Sequence, residues 1–290
     1  MTENNSGLPK KQNWVAITAG VLGGVLLLGT VSTAAMAGVF AATDDGKEKS
    51  QRLFEDAAGV TRIEVDASAA KFVISCDSAG ALGDDESSTG QDTFALLTSG
   101  GSREWRMVRH GDTLRVEPVD RGFGLSLFGL GQYRMQNVSL AVPQSACERA
   151  TPLDAELGLG AGQLQVDGRF GELSLEVGAG DARVTGEVRS LSADVSAGGA
   201  TLNLSGVRTA SLSVSAGDLW GDFDGAAPER IDVEVSAGSA ELTLPDEVYA
   251  VTSDVSAGDL ENSLRTDNGV TANTISVEIS AGSLALHPRR

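Results

Sequence analysis

The sequence has few of the residues from which most catalytic sites are built. Its 290 residues include two histidines and two cysteines, and only 4% of them are aromatic. With so few histidines, neither a serine–histidine pair nor a histidine-based metal site is readily assembled. The chain also lacks a P-loop, a G-x-S-x-G motif and a G-x-G-x-x-G motif after a strand. We therefore expect a protein that is not an enzyme and that carries no cofactor.

Positive charge is scarce, above all in the second half of the chain. Residues 151–290 contain 22 Asp and Glu, 8 Arg and no Lys, and the whole chain has a formal net charge of −18. Nucleic acids and anionic lipid surfaces bind proteins through basic patches. The charge balance therefore excludes nucleic acid as an expected partner.

What the sequence does contain is one short phrase, repeated seven times. Each copy has an aliphatic residue, then Ser or Gly, then Ala-Gly, and the copies lie 18 to 24 residues apart. A period near 20 is typical of stacked repeats, in which each unit buries its apolar face against its neighbours. We predict structural turns at the seven glycines, which are Gly162, Gly180, Gly198, Gly217, Gly238, Gly258 and Gly282.

Aliphatic and polar residues alternate on both sides of each glycine. Ile231, Val233 and Val235 precede one of them, and Ala240 and Leu242 follow it. A period of two is typical of a strand with one buried face. The pattern predicts an all-β fold, a parallel β-solenoid of about seven to eight short coils, with an antiparallel meander as the alternative.

The N-terminal region contains a long uncharged stretch at residues 14–42. About 20 apolar residues suffice to cross a bilayer. Two lysines precede the stretch and two aspartates follow it, so the positive-inside rule places residues 1–13 in the cytoplasm. We predict one transmembrane helix at 14–42 in a single-pass protein of the cell membrane, with an extracytoplasmic C-terminal domain. A cleaved signal peptide is the alternative.

Composition divides the rest of the chain into three parts. Residues 43–59 are a polar linker, residues 60–150 are a β-rich lead-in that caps the repeats and contains an acidic loop, and residues 151–290 are the glycine-turn repeats. Repeat arrays need protected ends. We expect the closing residues, Pro288, Arg289 and Arg290, to protect the last edge.

Two further features of residues 60–150 are candidates for contacts. Cys76 and Cys147 are a candidate disulfide, because both follow the predicted membrane segment, and two buried thiols are the alternative. Phe123 and Phe128 lie in the apolar, glycine-rich stretch GFGLSLFGLGQ. That stretch is either an exposed contact loop for lipid or a partner, or a loop folded over the end of the repeats.

Carboxylates recur immediately before the last aliphatic residue of several repeats. Stacking would bring them within about 5 Å of one another and cost near 0.9 kcal/mol per adjacent pair in water. Salt screening and outward splaying relieve this repulsion, and the alternative is weak binding of divalent cations. The weak candidates for cation contact are Glu176, Asp194, Glu234, Asp254 and Glu278.

Trp220 is the one candidate platform for stacking a sugar, and packing within the fold is the alternative reading of the same residue. Some enzymes built on β-helical scaffolds cleave polysaccharides with paired acids. A glycan-active enzyme on such a scaffold is therefore the alternative function.

The combination of an anchor, a lead-in strand ending at Val142 and Pro143, and serial V-S-A-G-D-L units resembles the bacterial putative adhesin domain. That family consists of β-strand repeats of unknown function, and the resemblance covers about residues 60–290. It implies a right-handed β-solenoid at the cell envelope without catalytic residues. On this resemblance we expect a non-catalytic, membrane-anchored, adhesin-like protein that binds a protein or cell-wall partner, or that scaffolds or senses at the envelope.

Overall fold

The computed structural model describes residues 50–76, 92–101, 103–119, 135–267, 269 and 273–290. Over these ranges the chain forms twenty strands and one short helix, α1 (Gln144–Cys147). The strands are β1 (Gln51–Asp56), β2 (Arg62–Asp66), β3 (Ala70–Ser75), β4 (Thr93–Ser99), β5 (Trp105–His110), β6 (Thr113–Pro118), β7 (Gln136–Ala141), β8 (Leu153–Leu159), β9 (Gly162–Val177), β10 (Asp181–Val195), β11 (Gly199–Ser205), β12 (Thr209–Val214), β13 (Asp218–Asp224), β14 (Arg230–Val235), β15 (Ser239–Leu244), β16 (Val248–Val255), β17 (Asp259–Asn262), β18 (Arg265–Thr266), β19 (Thr274–Ile279) and β20 (Ser283–Pro288).

The strands follow the period-two pattern of the sequence. In β14, Ile231, Val233 and Val235 are buried, whereas Glu234 between them is exposed. The same alternation in the other repeats places one aliphatic layer over the next and forms a single core of mostly Val, Leu, Ile and Ala. Because successive side chains of a strand point to opposite faces, every repeat also presents an outward row of polar residues.

The repeats pair in parallel and in register. β10 pairs with β9 from Asp181 to Val195 at an offset of 18 residues, so that each repeat lies on the equivalent part of the one before it. β11 pairs in the same way with β10 and β13, and β12 with β10 and β14. Equivalent positions therefore form rows that run across the strands at about 4.8 Å per strand.

The corner glycines form one of these rows. A Cβ atom on Gly180 would lie 3.0 Å from the backbone nitrogen of Gly162, and one on Gly198 would overlap with the carbonyl oxygen of Gly180. Hydrogen bonds link each corner to the next, because the amide after one corner glycine donates to the carbonyl of the preceding corner glycine. Gly199 N donates to Gly180 O at 2.9 Å, and Asp218 N donates to Gly198 O at 3.0 Å. Only glycine leaves room for backbones this close.

The all-β prediction is confirmed, but the predicted parallel β-solenoid is wrong, because the strands form a mixed sheet. β4 is antiparallel to both β1 and β7, and β5 is antiparallel to β6. The antiparallel pairs lie in the part before residue 150, which lacks the glycine repeat. This part joins the repeats through parallel pairs of β2 with β8 and of β3 with β9.

The order of strands also departs from the order of the chain. β14 and β15 pair with β19 and β20, which belong to the last repeat. The preceding repeat, β16 and β17, lies beyond them and pairs with the other sides of β19 and β20. Over Ser283–Leu286, β20 is therefore not the last strand of the repeats, because β17 pairs with it there. The expectation that Pro288, Arg289 and Arg290 protect the last edge stays a prediction.

The structure corrects three related predictions, namely a transmembrane helix, a membrane partner and a single-pass membrane localisation. Over the described ranges, no helix is long and apolar enough to cross a membrane, and α1 has only four residues. The predicted segment at residues 14–42 lies outside those ranges. The acidic loop, apart from Asp92, and the candidate contact residues Phe123 and Phe128 lie outside them as well.

One covalent link crosses the part of the fold before the repeats. Cys76, directly after β3, forms a disulfide with Cys147 in α1, and their Cα atoms are 6.0 Å apart. The bond closes a loop between residues 71 positions apart. A loop of that size corresponds to about 4 kcal/mol of stabilisation in the chain-entropy account, because the unfolded chain loses conformational freedom.

Candidate functional site

The candidate cation residues lie in a single outward row of the sheet. Parallel pairing places Asp194 beside Glu176, and farther along the row it places Glu278 between Glu234 and Asp254. Ser213 separates the two groups, since it pairs with Asp194 on one side and Glu234 on the other. Among the described residues, no group of three or more His, Cys, Asp and Glu side chains is placed to hold a metal ion.

The two histidines lie far apart in the fold. His110 ends β5 and pairs across the hairpin with Thr113, whereas His287 lies on β20. His287 Nε2 is 3.8 Å from Glu241 Oε1, which is an ion pair only when the imidazole is protonated. His287 pairs with Thr243 on β15, so the two histidines belong to separate parts of the sheet and do not share a site.

Trp220 is the exposed aromatic residue of the repeats. The residue is 46% exposed, whereas Phe223 on the same strand is 1% exposed and Trp105 in the lead-in is 2% exposed. The alternation of β13 explains this difference, because Leu219 and Gly221 take the inward positions on either side. The backbone therefore holds the indole on the outer surface of a regular sheet.

Acidic residues lie on one side of Trp220 in its row, and Thr201 lies on the other. In register with Trp220 are Glu241 on β15, Ala285 on β20 and Glu261 on β17. Because Ala285 is small, it leaves a gap between the two glutamates, whose backbones lie two strands or about 10 Å apart. We call the surface around this gap the Trp220 groove. It has a volume of about 250 Å³ and is lined by Trp220, Ser239, Ala240, Glu241, Asp259, Glu261, Ser283, Leu284 and Ala285.

The charged side chains that line the Trp220 groove are all acidic, and His287 lies next to one of them, 3.8 Å from Glu241. Three carboxylates and two hydroxyls line it, and no Lys, Arg or His is among the lining residues. Ser239 Oγ donates a hydrogen bond to Asp218 Oδ1 next to the groove. Arg183 lies in the same row as Trp220, but two strands away on the side opposite to Glu241. The groove therefore offers hydrogen-bond acceptors and negative charge beside an aromatic face.

A larger groove of about 410 Å³ lies between β1, β3, β4 and β7. Arg52 and Lys71 contribute to its lining, together with Val73, Leu97 and Val138. Ser50, which also lines it, is the first described residue of the chain.

Sequence reasoning missed Glu241 and Glu261 as neighbours of Trp220. The signal was present, because Trp220, Glu241, Glu261 and Ala285 each lie three residues after a corner glycine. Residues at the same offset from stacked corners fall in one row when the repeats are in register. The order of these residues in the row could not be predicted from the sequence, because the last repeat lies between the two repeats that precede it in the chain.

Comparisons with known proteins show likeness in structure only. No family model matches the chain, and no curated protein matches it. A putative cell adhesion protein from Clostridium sporogenes is 12% identical, with a TM-score of 0.35 over 84% of this chain and 100% of that one. A putative adhesin from Bacteroides fragilis is also 12% identical, with a TM-score of 0.44 over 83% of this chain and 97% of that one.

A third similar structure is a putative lipid binding protein from Parabacteroides distasonis. It is 12% identical, and its TM-score is 0.43 over 83% of this chain and 97% of that one. The names of the three proteins describe adhesion or lipid binding rather than catalysis. At this identity and with these TM-scores, the likeness carries no conclusion about what the present chain binds.

Proposed function

We propose that this chain is a non-catalytic, adhesin-like binding protein that holds a protein or cell-wall partner on the surface around Trp220. The single observation that carries the proposal is the exposure of Trp220, a residue that is 46% accessible. Tryptophan is enriched where proteins bind partners, because it offers a large rigid apolar face with one hydrogen-bond donor.

The surroundings of Trp220 support a binding role. Parallel strands in register hold the indole and its neighbours on a regular scaffold, so that little conformational freedom is lost when a partner binds. The formal net charge of −18 makes nucleic acid an unsuitable partner, because the phosphate backbone would be repelled. A partner that is neutral or cationic at the contact fits the groove.

A glycan-active enzyme is a second candidate, favoured by one observation. Glu241 and Glu261 lie on strands two apart, with Trp220 next to Glu241 in the same row. Paired carboxylates that flank a bound sugar are the machinery of glycoside hydrolysis. Both side chains are exposed, however, and a general acid of that kind is usually buried to keep its proton near neutral pH.

Retention and turnover distinguish the two candidates. The purified full chain would be tested against a panel of cell-wall polymers and purified surface proteins, with release of reducing ends measured in parallel. We expect retention without release, and loss of retention in Trp220→Thr, which places at residue 220 the residue type found at the neighbouring position 201. Met135→Thr is the matched control, because Met135 is 50% exposed and lies outside the groove.

Three outcomes would overturn the proposal. Release of new reducing ends would establish the enzyme instead. Retention that is equal in Trp220→Thr and the parent chain would place the binding surface elsewhere. Failure of every polymer and protein in the panel to be retained would count against a binding role.

A further inference from the structure

We propose that the Trp220 groove binds the ammonium group of a lysine side chain on a partner protein. This inference rests on the proposed binding function and specifies the chemistry that the groove recognises. It begins from the charge of the groove, whose lining includes Glu241, Asp259 and Glu261 and no cationic side chain. A positively charged group is the electrostatic complement of such a surface.

The hydrogen-bonding inventory favours an ammonium group over a neutral sugar. Carboxylates at neutral pH only accept hydrogen bonds, and an ammonium group has three donors and no acceptor. Sugar hydroxyls both donate and accept, so a sugar site normally offers donors from the protein as well. Among the side chains that line the groove, Ser239 Oγ already donates to Asp218 Oδ1, which leaves the Ser283 hydroxyl and the Trp220 indole N–H as donors beside three carboxylates.

Trp220 adds a second reason for an organic cation. A cation over the face of an indole is attracted by the ring quadrupole, and tryptophan is the most effective aromatic residue in this respect. The apolar stem of a lysine can also lie on Ala285, the small outward residue between the glutamates; Ala240 and Leu284 border the groove, but their side chains are buried in the core. A single lysine side chain therefore matches both the apolar and the charged parts of the groove.

Spacing argues against a metal ion as the ligand. Glu241 and Glu261 are separated by the whole of β20, at a backbone distance of about 10 Å. A calcium ion requires six to eight oxygens at 2.3–2.6 Å. The described residues contain no group of three or more His, Cys, Asp and Glu side chains placed to hold a metal. An ammonium group on a flexible stem needs no such closed shell.

The test uses the full chain and two peptides that differ in a single charge. One peptide carries one lysine between glycines and serines, and the other carries Nε-acetyl-lysine at the same position. Calorimetric titration should show the lysine peptide binding about three- to tenfold more tightly than the acetylated one, in line with a cation–π contact and one exposed ion pair. Equal binding of the two peptides would overturn the proposal.

Paired variants separate the groove from the general negative charge of the protein. Glu241→Gln with Glu261→Gln should lower affinity for the lysine peptide about three- to tenfold, whereas Glu156→Gln with Asp167→Asn, which removes the same charge from exposed positions outside the groove, should leave it unchanged. Urea unfolding of both double variants checks that each is folded. Equal losses in the two double variants would show attraction by net charge only and would overturn the proposal.

A glucosamine oligomer and its N-acetylated form complete the experiment. Binding of either oligomer through Trp220, without binding of the lysine peptide, would overturn the lysine assignment and leave the proposed binding function standing. If the proposed function itself fails, Trp220→Thr will change retention of neither peptides nor polymers. The two failures are therefore distinguishable.

Discussion

At the scale of single residues, two adjacent glycines differ in how much the fold depends on them. Gly198 occupies the row of corners, where a Cβ would meet the backbone of Gly180 and the Val177 side chain. Gly199 faces outward, and a Cβ there would lie 3.1 Å from an Asp181 carboxylate oxygen and 3.9 Å from the ring of Trp220. A Cβ on Gly198 would therefore collide with backbone, whereas a Cβ on Gly199 would meet only side chains that can move.

Alanine substitutions at these two adjacent glycines should therefore have opposite consequences. We expect Gly198→Ala to lower the free energy of unfolding by about 1–3 kcal/mol or more, because the stacked backbones must separate. Gly199→Ala should change it by less than about 1 kcal/mol, since reduced freedom of the unfolded chain offsets a small side-chain adjustment. Urea unfolding curves with equal slopes provide the measurement. Equal destabilisation by both substitutions would contradict the stacking of the corners.

The same comparison shows how far sequence reasoning reaches at this scale. The corner glycines and the buried aliphatic residues were readable, because the repeat and the period of two are local signals. The exposure of Trp220 was left open, although its place between Leu219 and Gly221 indicated the outward face. The order of Glu241, Ala285 and Glu261 beside Trp220 could not be predicted from the sequence. These residues come from three repeats that do not stack in the order of the chain.

At the scale of elements, the exchanged order of the last two repeats is the main departure from expectation. One inward row crosses the strands β12, β14, β19 and β16, each of which precedes the corner glycine of its repeat. The residues of this row are, in that order, Leu212, Val233, Val277 and Ser253. A polar residue at an inward position suits the last layer of a stack, which has no further layer to cover it. Sequence alone did not reveal this, because Ser253 is flanked by Val251 and Val255 in an otherwise ordinary repeat.

Amide hydrogen exchange would distinguish the observed order from sequential stacking. β17 pairs only with β20 among the described residues, whereas β20 pairs with both β15 and β17. We expect amides of Asp259–Asn262 to exchange about tenfold or more faster than those of Ser283–Leu286, because edge strands open at lower free energy. Amides of β11, which lies between β10 and β13, are the control for an interior strand. Faster exchange in β20 than in β17 would restore the order of the chain.

At the scale of the whole molecule, negative charge influences both which partners approach and how copies of the chain meet. The formal net charge of −18 and a sequence pI near 4.4 imply mutual repulsion between molecules at neutral pH. The repeat at the edge adds local charge, since Asp254, Asp259 and Glu261 are all exposed on β16 and β17. Val255 beside them is 38% exposed, so this end also carries some apolar surface.

Removing the edge charges should therefore increase self-association. Exposed strands that could pair with a second copy are commonly protected by charged side chains. We expect Asp254→Asn with Asp259→Asn and Glu261→Gln to raise the weight-average mass in sedimentation velocity at concentrations where the parent chain shows no such rise. Asp167→Asn with Glu172→Gln and Glu156→Gln removes three exposed acids from β8 and β9 and is the control for net charge. An equal rise in the control would assign the effect to net charge, and no rise in either variant would show that the edge charges do not prevent pairing.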